Sequence, residues 1–555
     1  PELMKSDDNP IRTSNYIDNY ASNYVNTLQT LRSDNKPLVP FFTLNVLSPE
    51  YYDPDSVNFD SNCDLVDPEL VNTISQQLDS IAVLTAGMDE IYIQLGNEPW
   101  HNQEYKEGIM SNALSYFTNM IAIARQIDER SDLQHAKVSL FADVHSFDIE
   151  DDGCSDLSSD YYTDTFRCTW NDSMHVILGN ESAYHLFDAY SIHKYTGLKN
   201  MQIPTLNENC QPTEPIQWNP LNLYGWDNNL SDCEMSYLIK WMIITRNQLF
   251  ATFEGSGGYS GLYNSINGSV APKDIWVTEY DLGLEGTIVE NGDTLIDAYE
   301  RIYSNGWPHA LYNLYTTMMY IIEMPNIDVL IQNNIEGFLG GYRLIDTYSY
   351  ISDDGTNNSK YHPYLLSDVE FRPLVSHVFL GLSPKGEAMR LLNEFAWRND
   401  KVAKINFISS EVDSTEIRSY GGTDSDYTKN LYGWAFDKGD FLFMNISDDT
   451  LSIMMESDDA ICYSYDFTVV GGDLHARNYQ TEYDHGLAYD THPSNQELLW
   501  EFDGLSSVPS NVELEQDYFA ATYALHSDFG NIKDFTPVFD VPPHCVMQIL
   551  KDNTF

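Results

Sequence analysis

The sequence predicts an α/β fold: a parallel barrel with its helices outside, followed by an all-β region. Three observations predict it. The stretch IYIQLGNEPW (91–100) alternates apolar positions and stops at Gly96-Asn97-Glu98-Pro99, where proline cannot continue a central ladder. KDIWVTEYDLG (273–283) is a second apolar strand, and it delivers Glu279 at its end. Strands and helices alternate around both, whereas beyond residue 373 short alternating runs are punctuated by Gly, Asp and Ser.

Taken in order, residues 12–33 carry Tyr16, Ile17, Tyr20, Tyr24, Leu28 and Leu31 at helical spacing. PLVPFFTLNV (37–46) reads as a strand. Asp67-Pro68-Glu69 opens a helix over 67–86 with Leu70, Ile74, Leu78 and Ile81 on one face. The Asn97 strand follows, then a helix over 105–130. Strands are expected at 136–145 and 187–195, a helix at 234–254, the Glu279 strand at 274–281 and a helix at 294–323. A last strand falls at 326–331 or 335–339. FRPLVSHVFLGL (371–382) reads as one more helix. The runs LYGWAFDKGDFLFMNISDD, CYSYDFTVVGG and PHCVMQIL then predict a β-sandwich. The expected domains are 1–385 and 386–555.

Composition narrows the function. The chain has 555 residues, 42 % apolar, enough for a large core. It carries 84 Asp+Glu against 29 Lys+Arg, a net charge of −55. Such a surface repels nucleic acid and anionic membranes and suits a salty medium. No run spans a membrane; the most apolar, LYNLYTTMMYIIEMP (311–325), holds Asn313 and Glu323 and reads as a buried helix. The chain opens on Pro1 without an initiator Met, as expected after processing or trimming. Seven cysteines suit an extracellular, secreted protein: Cys154 with Cys168, Cys210 with Cys233, and Cys462 with Cys545 are the expected pairs, leaving Cys63 over. Glycosylation sequons stand at Asn171, Asn180, Asn229, Asn267, Asn357 and Asn445. The acidic loops 151–160 and 352–358 lack EF-hand spacing and read as solvated loops. No zinc spacing, phosphate loop or dinucleotide fingerprint appears, so no metal and no cofactor are expected.

Two glutamates on two strand ends suit glycosidic bond cleavage. One carboxyl group protonates the leaving oxygen, and the other attacks the anomeric carbon or activates water. With Asn97-Glu98-Pro99 and Thr278-Glu279-Tyr280 in this order, the chain resembles the clan A glycoside hydrolases. It looks most like families 39, 44 and 79 and their relatives. That resemblance implies a TIM-type (β/α)8 barrel with a C-terminal all-β sandwich, and it covers residues 35–390 as architecture. It makes Asn97-Glu98 the end of strand four and Glu279 the end of strand seven. Only 37–46 then precedes strand four. The first βα units are expected to be lost or to lie on a separate chain, or the barrel is incomplete.

The resemblance further implies a retaining mechanism, with Glu98 as acid/base and Glu279 as nucleophile. Asn97 would bond the sugar 2-hydroxyl. A His-x-Tyr at the end of strand six, here His193 and Tyr195, would line the site, the Tyr hydroxyl holding the nucleophile. Both residues share a strand face by the period of two. His145, just beyond strand five, is a candidate of the same sort. Trp100 is the first choice as a platform for a sugar ring, and Trp170, Trp218, Trp226 and Trp307 are candidates for further subsites. The expected substrate is a polysaccharide or oligosaccharide, cut internally in an open cleft. The rival reading is a structural or adhesive extracellular glycoprotein, or a glycan-binding protein, built on the same barrel.

Overall fold

A computed structural model describes residues 2–3, 39–44, 68–97, 113–144, 170–197, 203–208, 210, 213, 218–219, 231–251, 258–268, 272–283, 287–290, 293–296, 307–332, 345–352, 359–360, 375–382, 384–407, 414–418, 425–454, 463–471, 526–534 and 538–551. The chain divides into two compact units. The first comprises Pro1–Lys194, Phe250–Tyr280 and Glu323–Ile331; the second comprises Tyr195–Leu249, Asp281–Ile322 and Gln332–Phe555. The units interleave along the chain, and the expected boundary at 385/386 falls inside the second.

The first unit is built on a seven-stranded sheet whose strands follow chain order. They are β1 (Glu2–Leu3), β2 (Phe41–Leu44), β3 (Ile91–Leu95), β4 (Ala136–Phe141), β5 (Ala189–Gly197), β6 (Asp274–Gly283) and β7 (Ile327–Leu330). The described pairings among them are parallel. The expected strands at 37–46, 136–145, 187–195, 274–281 and 326–331 are therefore present. One strand is additional: β1 pairs with β2, so two described strands precede the Asn97 strand rather than one. Two residues long, β1 carries no periodicity to detect. The helix expected at 12–33 lies outside the described residues.

Along the chain helices fall between these strands, the fourth and the sixth of them almost wholly within the second unit. They are α1 (Pro68–Leu84), α2 (Ala113–Asp128), α3 (Trp170–Asn180), α4 (Asp232–Ala251), α5 (Gly258–Asn267) and α6 (Trp307–Glu323). Helix α1 buries Ile74, Leu78 and Ile81 and leaves Val83 in solvent, the one-sided face its spacing predicts. Of the helix expected over 294–323, α6 supplies Trp307–Glu323, whereas Asp293–Ile296 pairs with Thr287–Glu290 as an antiparallel ribbon; residues 297–306 lie outside the described residues.

The parallel sheet curls. Neighbouring strands stand about 4.8 Å apart, so in a flat sheet β2 and β6 would lie roughly 19 Å apart. Yet the Trp276 ring on β6 has its centroid 5.8 Å from Phe41 on β2 and 4.9 Å from Tyr92 on β3. Ala189 and Val329 join the same cluster. These side chains meet across the concave face, which is the inside of a half-barrel. At its margin Lys137 binds Glu90 (2.9 Å) and Asp328 (3.3 Å) and lies over the Tyr92 ring.

The second unit holds a six-stranded antiparallel sheet. Its strands are β8 (Val402–Lys404), β9 (Leu431–Phe436), β10 (Phe441–Asn445), β11 (Tyr463–Gly471), β12 (His526–Asp534) and β13 (Cys545–Lys551). Alternation splits its faces. Leu431, Phe443, Met547 and Ile549 join a core with Ile453, Phe539 and Val541 of a two-stranded ribbon, Leu451–Met454 with Val538–Val541. The intervening residues face helices. Tyr432 packs edge-on against Tyr315 of α6, and Gln548 donates to the Leu391 carbonyl of α7 (Pro384–Arg398). The all-β expectation thus needs correction, because α7 covers one face of this sheet. Its signal is legible: Pro384 at the helix start, Glu387 in the first turn, and Ala388, Leu391, Leu392 and Phe395 at helical spacing. Conversely, the helix expected over 371–382 is overturned at its described residues: Val375–Leu382 pairs antiparallel with Ile345–Ser352, as suits its β-branched and aromatic residues.

Cys210 and Cys233 form the expected disulfide. Cys63, Cys154, Cys168 and Cys462 lie outside the described residues, and Cys545 is buried in the β core. No described helix is long and apolar enough to cross a membrane.

Candidate active site

The site is assembled at the carboxyl ends of the parallel strands. Strand β3 ends at Gly96, whose φ of +84° is a left-handed conformation that costs glycine little. A Cβ there would stand 3.1 Å from the ring and hydroxyl of Tyr116. Tyr116, from α2, donates to the Leu95 carbonyl (2.8 Å), the Gly96 N–H donates to Leu44 of the neighbouring strand (2.8 Å), and the Gln94 amide donates to the Gly96 carbonyl (3.0 Å). These bonds fix the turn that follows β3 and leave Asn97 half-buried just past it. Glu98, Trp100 and His145 lie outside the described residues.

Strand β5 brings His193 to the same end of the sheet as Glu279 on its neighbour β6. The His193 Nδ1 is 3.4 Å from Glu279 Oε2. The imidazole side chain is 3 % exposed, and the carboxylate is 30 % exposed. Phe141 of β4 packs edge-on against the imidazole, with centroids 4.7 Å apart. The ring is therefore clamped by packing while the carboxylate keeps a path to solvent. An N–H on Nδ1 would orient one carboxylate oxygen. Tyr195 stands two residues further along β5 and is half-buried.

Two tryptophans expected as sugar platforms are core residues instead. Trp307 is fully buried at the start of α6 and donates its indole N–H to the His544 carbonyl (2.6 Å). A Cβ on Gly471 would stand 2.7 Å from its ring, so the indole is packed against backbone rather than offered to a ligand. Trp170 is 1 % exposed, donates to the Phe141 carbonyl (3.0 Å) and packs on Tyr116 and Phe117. A helix-start tryptophan is ambiguous in sequence because the first turn of a helix faces either solvent or core. Trp226 lies outside the described residues, and Trp218 lies on a short strand.

A buried charge cluster just beyond Glu279 has no signature in the sequence. Asp281 is fully buried in the second unit, where it accepts from Lys385 Nζ (2.6 Å) and Asn313 Nδ2 (3.1 Å) and pairs with His309 Nε2. Burial pushes the Asp281 carboxyl up, but the Lys385 charge and then His309 outweigh it and hold it below the ordinary range. Burial pushes the Lys385 ammonium down despite the Asp281 charge. On sequence alone Asp281 and Glu285 compete with Glu279 as the nucleophile; Glu285 lies outside the described residues. The three donors around Asp281 make it a structural anion with no open face for a substrate. Among the described residues no group of three or more His, Cys, Asp or Glu could hold a metal ion.

No family model matches the chain, and no curated protein does. Solved structures with a similar course include glycoside hydrolases. An arabinose-bound GH51 α-L-arabinofuranosidase is 10 % identical, with a TM-score of 0.38 over 88 % of this chain and 52 % of its own, so the chain spans about half of it. AbfB, a family 51 α-L-arabinofuranosidase from Bifidobacterium longum, is 8 % identical, with a TM-score of 0.43 over 96 % of this chain and 78 % of its own. The catalytic domain of a GH30 xylanase C from Talaromyces cellulolyticus is 10 % identical, with a TM-score of 0.38 over 93 % and 76 %. Likenesses this distant carry no information about activity, which rests on the site's own residues.

Proposed function

We propose that this protein is a retaining glycoside hydrolase that cleaves β-glycosidic bonds in an extracellular polysaccharide. The observation that carries the reading is the Glu279 carboxylate, open to solvent on one side and 3.4 Å from the packed His193 imidazole, at a parallel strand end. Chemistry in such sheets is done at that end. Glu279 attacks the anomeric carbon, and Glu98 first protonates the leaving oxygen. A covalent glycosyl-enzyme forms, and Glu98 then deprotonates the water that releases the sugar. Asn97, set by the Gly96 turn, bonds the 2-hydroxyl, an interaction that strengthens as the oxocarbenium ion develops. His193 acts by orientation: it holds one oxygen of Glu279 and leaves the other to attack.

The test is reducing-end release from plant and algal polysaccharides by wild type, Glu98→Gln and Glu279→Gln. Wild type releases reducing ends, and each variant loses at least about 1,000-fold, since each removes a group the reaction needs. Full activity in both variants would remove both glutamates from the mechanism. No release from any glycan by a folded wild type would favour the scaffold reading, in which the same barrel serves adhesion or glycan binding.

A further inference from the structure

The six sequons are not equivalent, and the fold separates those it describes. In three, the amide nitrogen that a glycan would occupy is spent inside the core. Asn171 is 2 % exposed, and its Nδ2 donates to the Asp143 carbonyl (2.8 Å) while its Oδ1 accepts from the Asp143 N–H (3.0 Å). Asn267 donates to the Tyr263 carbonyl (3.1 Å) and accepts from the Lys273 N–H (2.6 Å). Asn445 donates toward three carbonyls, of Asp449, Val541 and Pro542, at 2.8–3.0 Å. A sugar on any of these nitrogens would break bonds that close a helix start, a helix end and a β core. Asn229 and Asn357 lie outside the described residues.

Asn180 differs. It is the last residue of α3, and both Asn180 and the sequon hydroxyl residue Ser182 are exposed. The intervening Glu181 is tied down by Arg125 (3.0 Å), and Ser182 takes a φ of +53°, so the chain turns sharply away from the helix there. A second observation stands beside it. Val176, four residues earlier on the same helix face, is 61 % exposed, one of the large apolar side chains the described surface leaves open. Side chains on a helix lean toward its N-terminus, so the Asn180 side chain leans over Val176.

We propose that Asn180 carries an N-linked glycan whose first sugar covers Val176. The donor is a lipid-linked oligosaccharide. Nδ2 of Asn180 bonds to C1 of the sugar, the C1–O bond to the polyprenyl pyrophosphate breaks, the pyrophosphate leaves with the electron pair, and one amide proton is released. The apolar C–H face of the sugar ring then rests on the valine, and its hydroxyls face water. The inference is independent of the hydrolase reading.

The experiment routes the full chain through the secretory pathway of an insect or yeast cell and maps the folded product. Peptide N-glycosidase converts each glycosylated Asn to Asp, which mass spectrometry locates. Conversion is expected at Asn180 and at none of Asn171, Asn267 and Asn445. Asn180→Gln and Ser182→Ala are each expected to remove one glycan of mass, and the second keeps the asparagine itself. Deglycosylated protein is expected to bind more apolar dye than the glycoprotein, and Val176→Ser abolishes that difference. An unmodified Asn180 in folded protein would overturn the proposal. Glycan at a buried sequon in protein of unchanged melting temperature would overturn the structural selection behind it. An unchanged dye signal would overturn the Val176 contact.

Discussion

At the scale of single residues, two positions decide whether the candidate site is held. Gly96→Ala forces a Cβ into the left-handed region and against Tyr116, 3.1 Å away. The expected cost is about 1–2 kcal/mol for the conformation, before any clash. Because Asn97 follows directly, activity should fall further than the lost folded fraction accounts for. Urea denaturation and kinetics on the same preparation separate the two, and an unchanged unfolding midpoint would defeat the strain argument. Lys385→Met tests the buried anion. It leaves Asp281 in the core without its ammonium partner, a loss on the order of 3–5 kcal/mol. Adding Asp281→Asn removes the charge that lost its partner, so the double variant should recover much of that loss. A double variant no more stable than the single would show that His309 and Asn313 carry the anion alone. Burial of this pair is not legible in sequence: Asp281 and Lys385 are 104 positions apart, and no local pattern marks a lysine bound for a core.

At the scale of elements, periodicity is readable wherever an element has one wet face or a long apolar run. Helix α1 and the six longer parallel strands, the Glu279 strand among them, all satisfy that condition. It fails where context overrides local pattern. Val375–Leu382 has helix-compatible spacing but finds a partner strand, and partner strands are invisible locally. Trp307 reads as a candidate sugar platform until His544, 237 positions later, supplies the carbonyl that accepts its N–H. The same strand-to-helix seam contains a titratable tie. Asp448, beyond β10, accepts from His544 (3.0 Å) and lies 4.0 Å from Lys240 of α4. Burial raises its pKa, but the His544 hydrogen bond and the Lys240 charge outweigh that and hold it below the ordinary range. A carboxyl whose folded pKa is depressed stabilises the fold above its unfolded pKa, about 3.9, and loses that contribution as pH falls through the folded value. Asp448→Asn should therefore melt lower than wild type at pH 6, and the gap should narrow progressively as pH falls below about 3.9. The carboxylate is 42 % exposed, so solvent screens it and the gap should be small, a few degrees or less. A gap that persists unchanged at low pH would mean that the amide disturbs packing rather than charge.

At the scale of the whole molecule, the acidic excess builds in electrostatic self-repulsion. A net charge of −55 on 555 residues places many carboxylates within reach of one another. The described ion pairs engage few of the acidic groups, and several of those, such as Arg130 with Asp79 and Asp132, are exposed and worth little each. The compact state therefore carries a self-repulsion that the expanded chain relieves. Salt weakens it, because the screening length falls from about 30 Å at 0.01 M to about 3 Å at 1 M. The melting temperature should rise steeply between about 0.01 and 0.3 M NaCl and then level off, since most repulsions are screened once that length drops below the spacing of surface carboxylates. Sodium sulfate at matched ionic strength separates this from salting-out: screening alone gives equal shifts, whereas exclusion of sulfate from the surface adds to them. A net charge reduced by surface Glu→Gln changes far from Glu98 and Glu279 should flatten the salt dependence without lowering activity. A melting temperature independent of NaCl would show that the carboxylates are already compensated within the fold. The acidic composition would then bear on solubility alone.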